Sequence, residues 1–294
     1  MAKFIISGFA DEAAGDLQGQ IAALKRNNMG YVEVRNIGGK CVINYSEEEI
    51  LDFKRQLDEA GIKVSSLGSP IGKYDITADF EPHFELFKKA VQTARLLGTE
   101  NIRMFSFFIP QDKNPRDYRD EVMKRLNALV KYAHSQGVLL CHENEARIYG
   151  CLPEEVKDIL ENVEGIKGIF DPANYIMDDA DITWAIDNTK NYIKYMHIKD
   201  AMLDGHIIVP AGFGDGKVAE VIEKINEVKD DETFLSVEPH LLAFTGYSNL
   251  DTRELKHKFV YANHNESFDA AVNALKDILK NLGYVEGEDK IWKK

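Results

Sequence analysis

The chain has 294 residues, of which 44% are hydrophobic and 29% are charged. This composition is typical of a globular protein with a sizeable core and disfavours an intrinsically disordered chain. The 36 basic and 49 acidic side chains give a net charge of −13, which disfavours nucleic acid as a partner because phosphate contacts need a basic surface.

The N-terminal segment and the cysteines indicate a cytoplasmic protein. The apolar run at residues 4–6 is too short for a signal peptide, and no stretch of the sequence approaches the ~18 apolar residues of a membrane span. The three cysteines, Cys41, Cys141 and Cys151, have no CxxC spacing, which fits a reduced protein better than a disulfide framework. We therefore expect a cytoplasmic protein with no membrane partner.

Short apolar runs alternate with amphipathic segments from one end of the chain to the other. Eight apolar runs predict strands at residues 4–9, 31–34, 64–67, 102–105, 138–141, 166–170, 192–198 and 233–237. Eight amphipathic segments predict helices at residues 17–27, 47–60, 80–97, 118–135, 153–162, 182–188, 218–228 and 267–282. A glycine just past four of these helices supports their C-terminal ends.

Eight strands, each followed by a helix, predict parallel βαβ units. Eight such units in about 250–300 residues match a closed (β/α)8 TIM barrel. Because no linker or composition shift divides the sequence, we expect residues 1–294 to form a single α/β domain. A doubly wound open sheet is the alternative, although the turn at residues 8–12 lacks the GxGxxG pattern. The connection at residues 241–264 has the length of a lid or interface element, or of a surface excursion without a role.

The ends of the fifth to eighth predicted strands carry ionisable residues. Inward side chains at these ends of a TIM barrel surround one pocket. Each end offers one oxygen or imidazole ligand at the same height: Glu143, Asp171, His197 and Glu238. Alternation along the fifth strand turns Glu143 inward with Cys141, and turns His142 outward toward the helices.

These four residues predict a divalent metal site. Three carboxylates and one imidazole in a ring repel one another unless a cation lies between them. Mixed oxygen and nitrogen ligands suit Mn²⁺, Mg²⁺, Co²⁺ or Zn²⁺, and ligand type does not choose among them. The alternative is that each residue is a solvated acid at the end of a strand or a helix N-cap. The presence of a potential ligand at the ends of four successive strands favours the metal site.

The same four residues resemble the metal set of the xylose isomerase-like TIM-barrel superfamily, which includes tagatose epimerases, hydroxypyruvate isomerase, inosose dehydratase and endonuclease IV. The resemblance spans nearly the whole chain. Its most specific pieces are His197-Ile198-Lys199-Asp200, Pro210-Ala211-Gly212, Gly214-Asp215-Gly216 and Val237-Glu238-Pro239-His240. It implies one bound divalent metal ion, usually Mn²⁺, with Glu143 and Glu238 as both ligands and catalytic acid/base pair.

The resemblance also implies a reaction. Members of this kind isomerise or epimerise sugars, sugar phosphates or sugar acids by moving a proton between neighbouring carbons through a metal-stabilised enediolate. The metal acts as a Lewis acid, while Glu143 and Glu238 take and return the proton, each such step being worth about 10²–10⁴-fold. A small-molecule sugar is the expected partner, and a homo-oligomer is expected because relatives are often dimers or tetramers.

The sixth strand departs from the epimerase pattern. Epimerases of this type commonly carry Asp-x-x-His there, whereas this chain has Asn174 three residues after Asp171. Asparagine can hydrogen-bond a sugar hydroxyl but cannot shuttle a proton near neutral pH. The departure argues against a ketose 3-epimerase more than against the metal site.

Five residues near the four ligands are expected to contact the substrate: Glu145, Asn174, Lys199, His240 and Arg103. Lys199 and His240 each follow a ligand by two positions, so alternation turns them toward the pocket. A rim salt bridge is the alternative for Lys199, and an ordinary surface acid is the alternative for Glu145.

Other charged and glycine-rich positions carry weaker expectations. Lys73, like Arg103, would add positive charge for an acidic or phosphorylated sugar, whereas Glu33 and Arg35 are expected to pair with each other. Residues 212–216 form either a phosphate cradle of backbone N–H groups or, more often, a tight turn.

Three other functions compete with the isomerase or epimerase. A lyase of the inosose dehydratase type would use the same site but expel a β-hydroxyl from the enediolate. Endonuclease IV-like DNA repair needs more pocket histidines than the eight scattered here, and a non-catalytic sugar-binding barrel would be expected to lack one of the two glutamates.

Overall fold

The protein forms a (β/α)8 TIM barrel. The structure, a computed structural model, describes residues 2–243, 256 and 258–294. The eight barrel strands are β1 (Lys3–Gly8), β2 (Tyr31–Val34), β3 (Lys63–Gly68), β4 (Asn101–Met104), β5 (Leu139–Glu143), β6 (Lys167–Phe170), β7 (Ile193–Ile198) and β8 (Glu232–Val237). The helices are α1 (Leu17–Arg26), α2 (Glu47–Glu59), α3 (Phe80–Leu97), α4 (Arg119–Ser135), α5 (Pro153–Asn162), α6 (Pro172–Met177), α7 (Ile182–Thr189), α8 (Val218–Val228) and α9 (His264–Asn281).

All ladders between the barrel strands are parallel and run in the order β2 to β8, then β1. Side chains connect β1 to β2 and β3, since Ser7 Oγ lies 2.6 Å from Ser65 Oγ, which donates to the carbonyl of Val32 at 3.1 Å. A short C-terminal strand, Ile291–Lys293, pairs antiparallel with β1. The predicted fold class is thus confirmed.

Two apolar regions lie on opposite sides of the barrel wall. The main core fills the layer between strands and helices and includes residues from Ala2 to Trp292. Inside the barrel lies a second, small group made of Cys141, Ile169 and Tyr195. Two strand faces, one toward the helices and one toward the interior, explain why these strands read as continuous apolar runs.

The sequence pattern places the longer elements within a few residues of their observed ends. Helix α3 ends at Leu97, and the next residue, Gly98, has φ +75° and closes the helix in the left-handed conformation that glycine adopts without strain. Helix α9 begins three residues earlier than predicted because Asn263 caps it, accepting from the N–H of Glu266 at 3.0 Å. Helix α6 was not predicted, since six residues are too few for a periodic pattern.

Two sequence-based expectations are not tested by the described residues. Most of the connection at residues 241–264 lies outside the described residues, and its role as a lid or interface element stays a prediction. The expectation that residues 1–294 form a single domain also stays a prediction. Among the described helices, none combines the length and the apolar character that crossing a membrane requires.

Candidate metal centre and active site

The four residues predicted at the strand ends come together at the C-terminal mouth of the barrel. They are Glu143, Asp171, His197 and Glu238, called the four-residue cluster below. One potential ligand atom from each lies within 4.8 Å of those of the other three. All four are buried, with at most 2% of each residue exposed.

Strand alternation produces this convergence. Cys141, Ile169 and Tyr195 face the barrel interior, and the cluster residues from β5, β6 and β7 lie two positions further along the same faces. Glu238 directly follows β8 and continues the face of Phe234, which packs against that interior group. The cluster therefore forms where four interior strand faces reach the mouth.

Asp171 is held at the N-terminus of α6. Its Oδ1 accepts from the N–H of Asn174 at 3.0 Å, and the Asn144 side chain bonds both the N–H and the C=O of Asp171 at 3.1 Å. Its Oδ2 accepts no hydrogen bond within the described part of the chain, but lies 3.0 Å from Lys199 Nζ. Burial raises the pKa of Asp171 to about 7 even though Lys199 opposes the rise.

His197 lies between two glutamates. Its Nδ1 is 2.8 Å from Glu143 Oε1, and its Nε2 is 3.3 Å from Glu33 Oε2. Glu33 is itself fixed by the hydroxyls of Tyr195 at 2.8 Å and Ser236 at 2.5 Å. Burial opposes a charged imidazole, yet Glu143 and Glu33 raise the pKa of His197 to about 10. His197 would therefore have to lose a proton before Nδ1 could serve as a metal ligand.

Three cationic side chains contact the cluster. Lys199 Nζ lies 3.1 Å from Glu238 Oε2, and Arg35 Nη1 lies 3.0 Å from Glu238 Oε1. Arg103 Nη1 lies 3.2 Å from Glu143 Oε2 and 3.5 Å from Glu238 Oε1, so its guanidinium spans the two glutamates. Burial alone would raise the pKa of Glu238, but Lys199 and the nearby histidines hold it well below its usual value.

The cluster fits a divalent cation. Its donors are three carboxylates and one imidazole, which are hard or borderline ligands. The negative charges of Glu143 and Glu238 add to the rise in the pKa of Asp171, and a bound cation relieves this crowding. The ammonium group of Lys199 already contacts Asp171 and Glu238, so it would share these two carboxylates with a metal.

The residues predicted to contact substrate surround the cluster. Lys199 and Arg103 form the ion pairs described above. Asn174 Nδ2 donates to the carbonyl of Asn144 at 2.8 Å and lies 3.5 Å from Glu143 Oε1. His240 Nε2 is 3.6 Å from Glu238 Oε1. Glu145 lies further out and pairs with Lys73 at 2.8 Å. Contact of these residues with a substrate stays a prediction.

The expected pairing of Glu33 with Arg35 is wrong. Both side chains point to the barrel interior, but Glu33 lies deeper and contacts His197, as described above. Arg35 lies at the rim, where it makes a two-pronged ion pair with Asp11 at 2.9 and 3.0 Å. Residues two apart on one strand face are separated along the strand, so each finds partners in other parts of the barrel.

Two acidic residues after β1 were missed from the sequence. Asp11 binds Arg35, and Glu12 Oε1 lies 3.1 Å from Arg35 Nη2 while Glu12 Oε2 accepts from the N–H of His240 at 2.7 Å. Burial raises the pKa of Glu12 to about 8 despite Arg35. Their position directly after the first strand was the available signal, because that strand end also opens into the mouth.

His142 faces away from the cluster, as alternation predicts. Its Nε2 lies 2.8 Å from Ser106 Oγ. The ring packs so closely on Gly150 that a Cβ there would lie 2.8 Å from His142 Cε1. Burial lowers the pKa of His142 to about 3, so the imidazole is neutral in the folded protein.

This buried imidazole predicts a loss of stability in acid. The pKa of His142 is lower in the folded than in the unfolded chain, so the unfolded chain binds more protons and the free energy of unfolding falls as pH drops from about 6.5 toward 3. The full shift corresponds to ~4–5 kcal/mol. In urea unfolding between pH 7.5 and 4.5, we expect His142→Gln to flatten this decline, whereas replacing exposed His264 should not. An equally steep decline in His142→Gln would contradict the assignment.

The fold and the cluster together define a TIM-barrel protein with a candidate metal centre at the C-terminal ends of its strands. A family model described as the xylose isomerase-like TIM barrel matches residues 21–250. This match covers more than half of the chain, which therefore belongs to that family. No curated protein matches the sequence.

Several solved structures share the fold at low identity. L-ribulose 3-epimerase is 17% identical, with a TM-score of 0.70 over 96% of this chain and 97% of that one. D-psicose 3-epimerase, solved with D-fructose, is 14% identical, with a TM-score of 0.71 over 95% and 99%. The probable 3-DHS dehydratase AsbF of Bacillus anthracis is 13% identical, with a TM-score of 0.69 over 94% and 99%. At these identities the likeness shows the fold alone.

Proposed function

We propose that this protein is a metal-dependent sugar isomerase or epimerase that moves a proton between neighbouring carbons of a hydroxy-ketone or hydroxy-aldehyde. The observation that carries the proposal is the four-residue cluster, whose ligand atoms converge within 4.8 Å at the mouth of the barrel. The epimerase names of two fold neighbours support the same reaction class.

We propose Mn²⁺ as the resident ion, held by the four-residue cluster. Mg²⁺, Co²⁺ and Zn²⁺ suit the same donors. A further solved structure that shares the fold, that of the IolI protein at 14% identity and a TM-score of 0.71, contains a bound zinc atom. When bound, the metal supplies a Lewis acid that stabilises negative charge developing on the substrate oxygens. Because Glu143 and Glu33 favour the protonated imidazole, His197 would give up a proton on becoming a ligand.

Glu143 and Glu238 are the proposed acid/base pair. The carbon–hydrogen bond breaks, its proton goes to one carboxylate, and its electron pair moves toward the adjacent carbonyl to give the enediolate. Reprotonation at the neighbouring carbon, with the hydroxyl proton passing to the former carbonyl oxygen, gives an isomer. Reprotonation of the same carbon from the opposite face gives an epimer. Arg103 spans both carboxylates at 3.2 and 3.5 Å and thereby fixes their separation.

Five side chains are proposed to hold the substrate: Glu145, Asn174, Lys199, His240 and Arg103. Asn174 lies beside Glu143 and can donate to a hydroxyl, but it cannot exchange protons near neutral pH. The proton transfer therefore rests on the two glutamates.

A lyase of the inosose dehydratase type is the second candidate. The Asn174 side chain in place of a histidine weakens the ketose 3-epimerase assignment, and one fold neighbour is named a probable dehydratase. In this reaction the same enediolate expels a β-hydroxyl, which leaves as water after accepting a proton. Product analysis separates the two, since only the lyase forms an unsaturated product.

The domain organisation, location and oligomeric state of this enzyme are also part of the proposal. We expect residues 1–294 to act as one cytoplasmic domain on a small-molecule sugar, and to assemble as a homodimer or homotetramer. Sedimentation velocity would establish the oligomeric state.

Metal removal is expected to abolish the reaction. Purified protein would be treated with a chelator, dialysed, and incubated in D₂O with a panel of ketoses and keto-inositols, with deuterium incorporation at carbon followed by NMR. Readdition of Mn²⁺ should restore incorporation, and elemental analysis of untreated protein should find about one divalent ion per chain. Undiminished incorporation by protein shown to be metal-free would contradict the proposal.

A further inference from the structure

Four cationic side chains at the mouth of the barrel already have carboxylate partners. Lys73 pairs with Glu145 at 2.8 Å, and the two side chains are only 8% and 13% exposed. Lys199 lies between two cluster carboxylates at 3.0 and 3.1 Å. These pairs are shielded from solvent, so separating them to bind a substrate anion carries a larger cost than at an exposed pair.

The two arginines are engaged in the same way. Arg35 contacts three carboxylates, those of Asp11, Glu12 and Glu238, at 2.9 to 3.1 Å. Arg103 spans Glu143 and Glu238. A phosphate or carboxylate that approached these arginines would also approach the acidic groups that hold them.

The glycine-rich turn after β7 is occupied by a carboxylate of the chain itself. Asp200 Oδ2 accepts from the N–H groups of Gly212 at 2.9 Å and Gly214 at 3.1 Å. Its Oδ1 accepts from the N–H groups of Gly216 and Ala201, both at 2.8 Å. A Cβ at Gly214 would lie 2.4 Å from Asp200 Oδ1. These N–H groups form a cradle of the kind that binds phosphate, but here Asp200 fills it.

We infer that the substrate of the proposed reaction is an uncharged sugar, without a phosphate or carboxylate group. The inference rests on the proposed function and assigns its substrate class. Carboxylates alternate with ammonium and guanidinium groups around the cluster, so a hydroxyl can donate to one and accept from its neighbour. A dianionic phosphate can only accept, and each carboxylate repels it.

Matched substrate pairs test this class directly. Each pair would consist of a ketose and its phosphate ester, such as D-fructose and D-fructose 6-phosphate, or D-ribulose and D-ribulose 5-phosphate. We expect deuterium incorporation from D₂O with the uncharged member of at least one pair, and at least ~100-fold lower kcat/KM with its phosphate, because repulsion of an anion at this depth discriminates strongly. Equal or faster incorporation with the phosphate would overturn the inference.

A variant that removes one carboxylate partner of a mouth cation sharpens the test. Glu145→Gln removes the carboxylate that holds Lys73, and we expect it to raise the rate ratio of phosphate to uncharged sugar by at least ~5-fold. The control is Glu227→Gln, which removes the α8 carboxylate of a more exposed 2.7 Å pair with Lys190, away from the mouth, and should leave the ratio unchanged. An unchanged ratio in Glu145→Gln would overturn the pairing argument.

Binding separates this inference from the proposed reaction. If neither member of any pair incorporates deuterium, the proposed isomerase or epimerase fails, while calorimetry on the same pairs with the metal-loaded protein still decides the substrate class. Tighter binding of the uncharged member would support the inference. Tighter or equal binding of the phosphate, or binding of neither member, would overturn it.

Discussion

Replacing either Glu143 or Glu238 by glutamine is expected to lower carbon-bound proton exchange by about 10²–10⁴-fold, the range typical of a lost acid/base group. Glutamine keeps the size and one carbonyl oxygen of the glutamate but cannot accept a proton near neutral pH. Each variant retains three anionic or imidazole ligands of the four-residue cluster, so we expect weakened but measurable metal binding. Deuterium incorporation at saturating Mn²⁺ isolates the proton transfer from this loss.

Two controls make the result specific. Glu227→Gln removes a carboxylate of an exposed ion pair on α8 and should exchange at the rate of the unchanged protein. Elemental analysis of the variants at the same Mn²⁺ concentration shows whether the metal is present. Undiminished exchange in both glutamine variants, with the metal shown to be bound, would end the acid/base assignment.

The two glutamates also differ in an observable way. Glu238 contacts the cations Arg35, Arg103 and Lys199 and lies 3.6 Å from His197 Nδ1, whereas Glu143 contacts Arg103 and lies 2.8 Å from the same nitrogen. If one glutamate removes the proton and the other returns it, the two variants should differ in primary isotope effect on exchange of a substrate deuterated at carbon. Loss of exchange in only one of the two metal-loaded variants would indicate that a single carboxylate performs both steps.

The fold and the convergence of the cluster were predictable from the sequence because both follow from periodicity. A strand has a period of two residues, so the positions of Glu143 and His197 relative to their buried runs fix the direction of the side chains. A parallel barrel then brings all such strand ends to one mouth. The same rule assigned His142 to the outer layer, where it packs on Gly150.

Partner choice among the charged residues was not predictable from the sequence. Glu33 and Arg35 share a strand face, but their partners come from elements up to about two hundred positions away, Ser236 for Glu33 and Glu238 for Arg35. Which ion pair forms depends on the relative heights of strands around the barrel. Periodicity gives the face of a side chain but not the stagger between strands.

Asp200 illustrates a second limit. The glycines at residues 212–216 indicated either a turn or a phosphate cradle, and both descriptions hold in part. The segment is a turn whose backbone N–H groups form a cradle, and the carboxylate of Asp200 fills that cradle. A glycine pattern reports the backbone conformation and the close approach of a group. It does not report whether that group comes from a ligand or from the chain.

The pairing of Glu33 with His197 leads to the second prediction with a large expected effect. Replacing Glu33 by glutamine should weaken divalent metal binding about 10–100-fold, the usual cost of removing the carboxylate behind a histidine ligand. Glu33 lies 3.3 Å from His197 Nε2, while Nδ1 faces the cluster. The carboxylate therefore orients the ring and increases its basicity toward the metal.

Two effects of this change oppose each other, and their magnitudes decide the sign. Loss of the Glu33 charge lowers the pKa of His197, which eases the deprotonation that metal binding requires. The same loss removes the electrostatic attraction between the Glu33 carboxylate and a cation bound to His197. At a given distance this attraction is twice as strong for a divalent ion as for a proton. The net result is weaker metal binding, which competition with a chromophoric chelator would measure without any substrate.

The control for Glu33→Gln is another buried carboxylate, one that does not contact the cluster. Glu155 is 9% exposed and accepts from the N–H groups of Gly150 and Leu152 at the start of α5. Glu155→Gln should lower thermal stability but leave the metal dissociation constant unchanged. Equal metal affinity in Glu33→Gln and the unchanged protein would show that Glu33 stabilises the barrel interior without positioning His197, because a structural role alone moves the melting temperature and not the metal affinity.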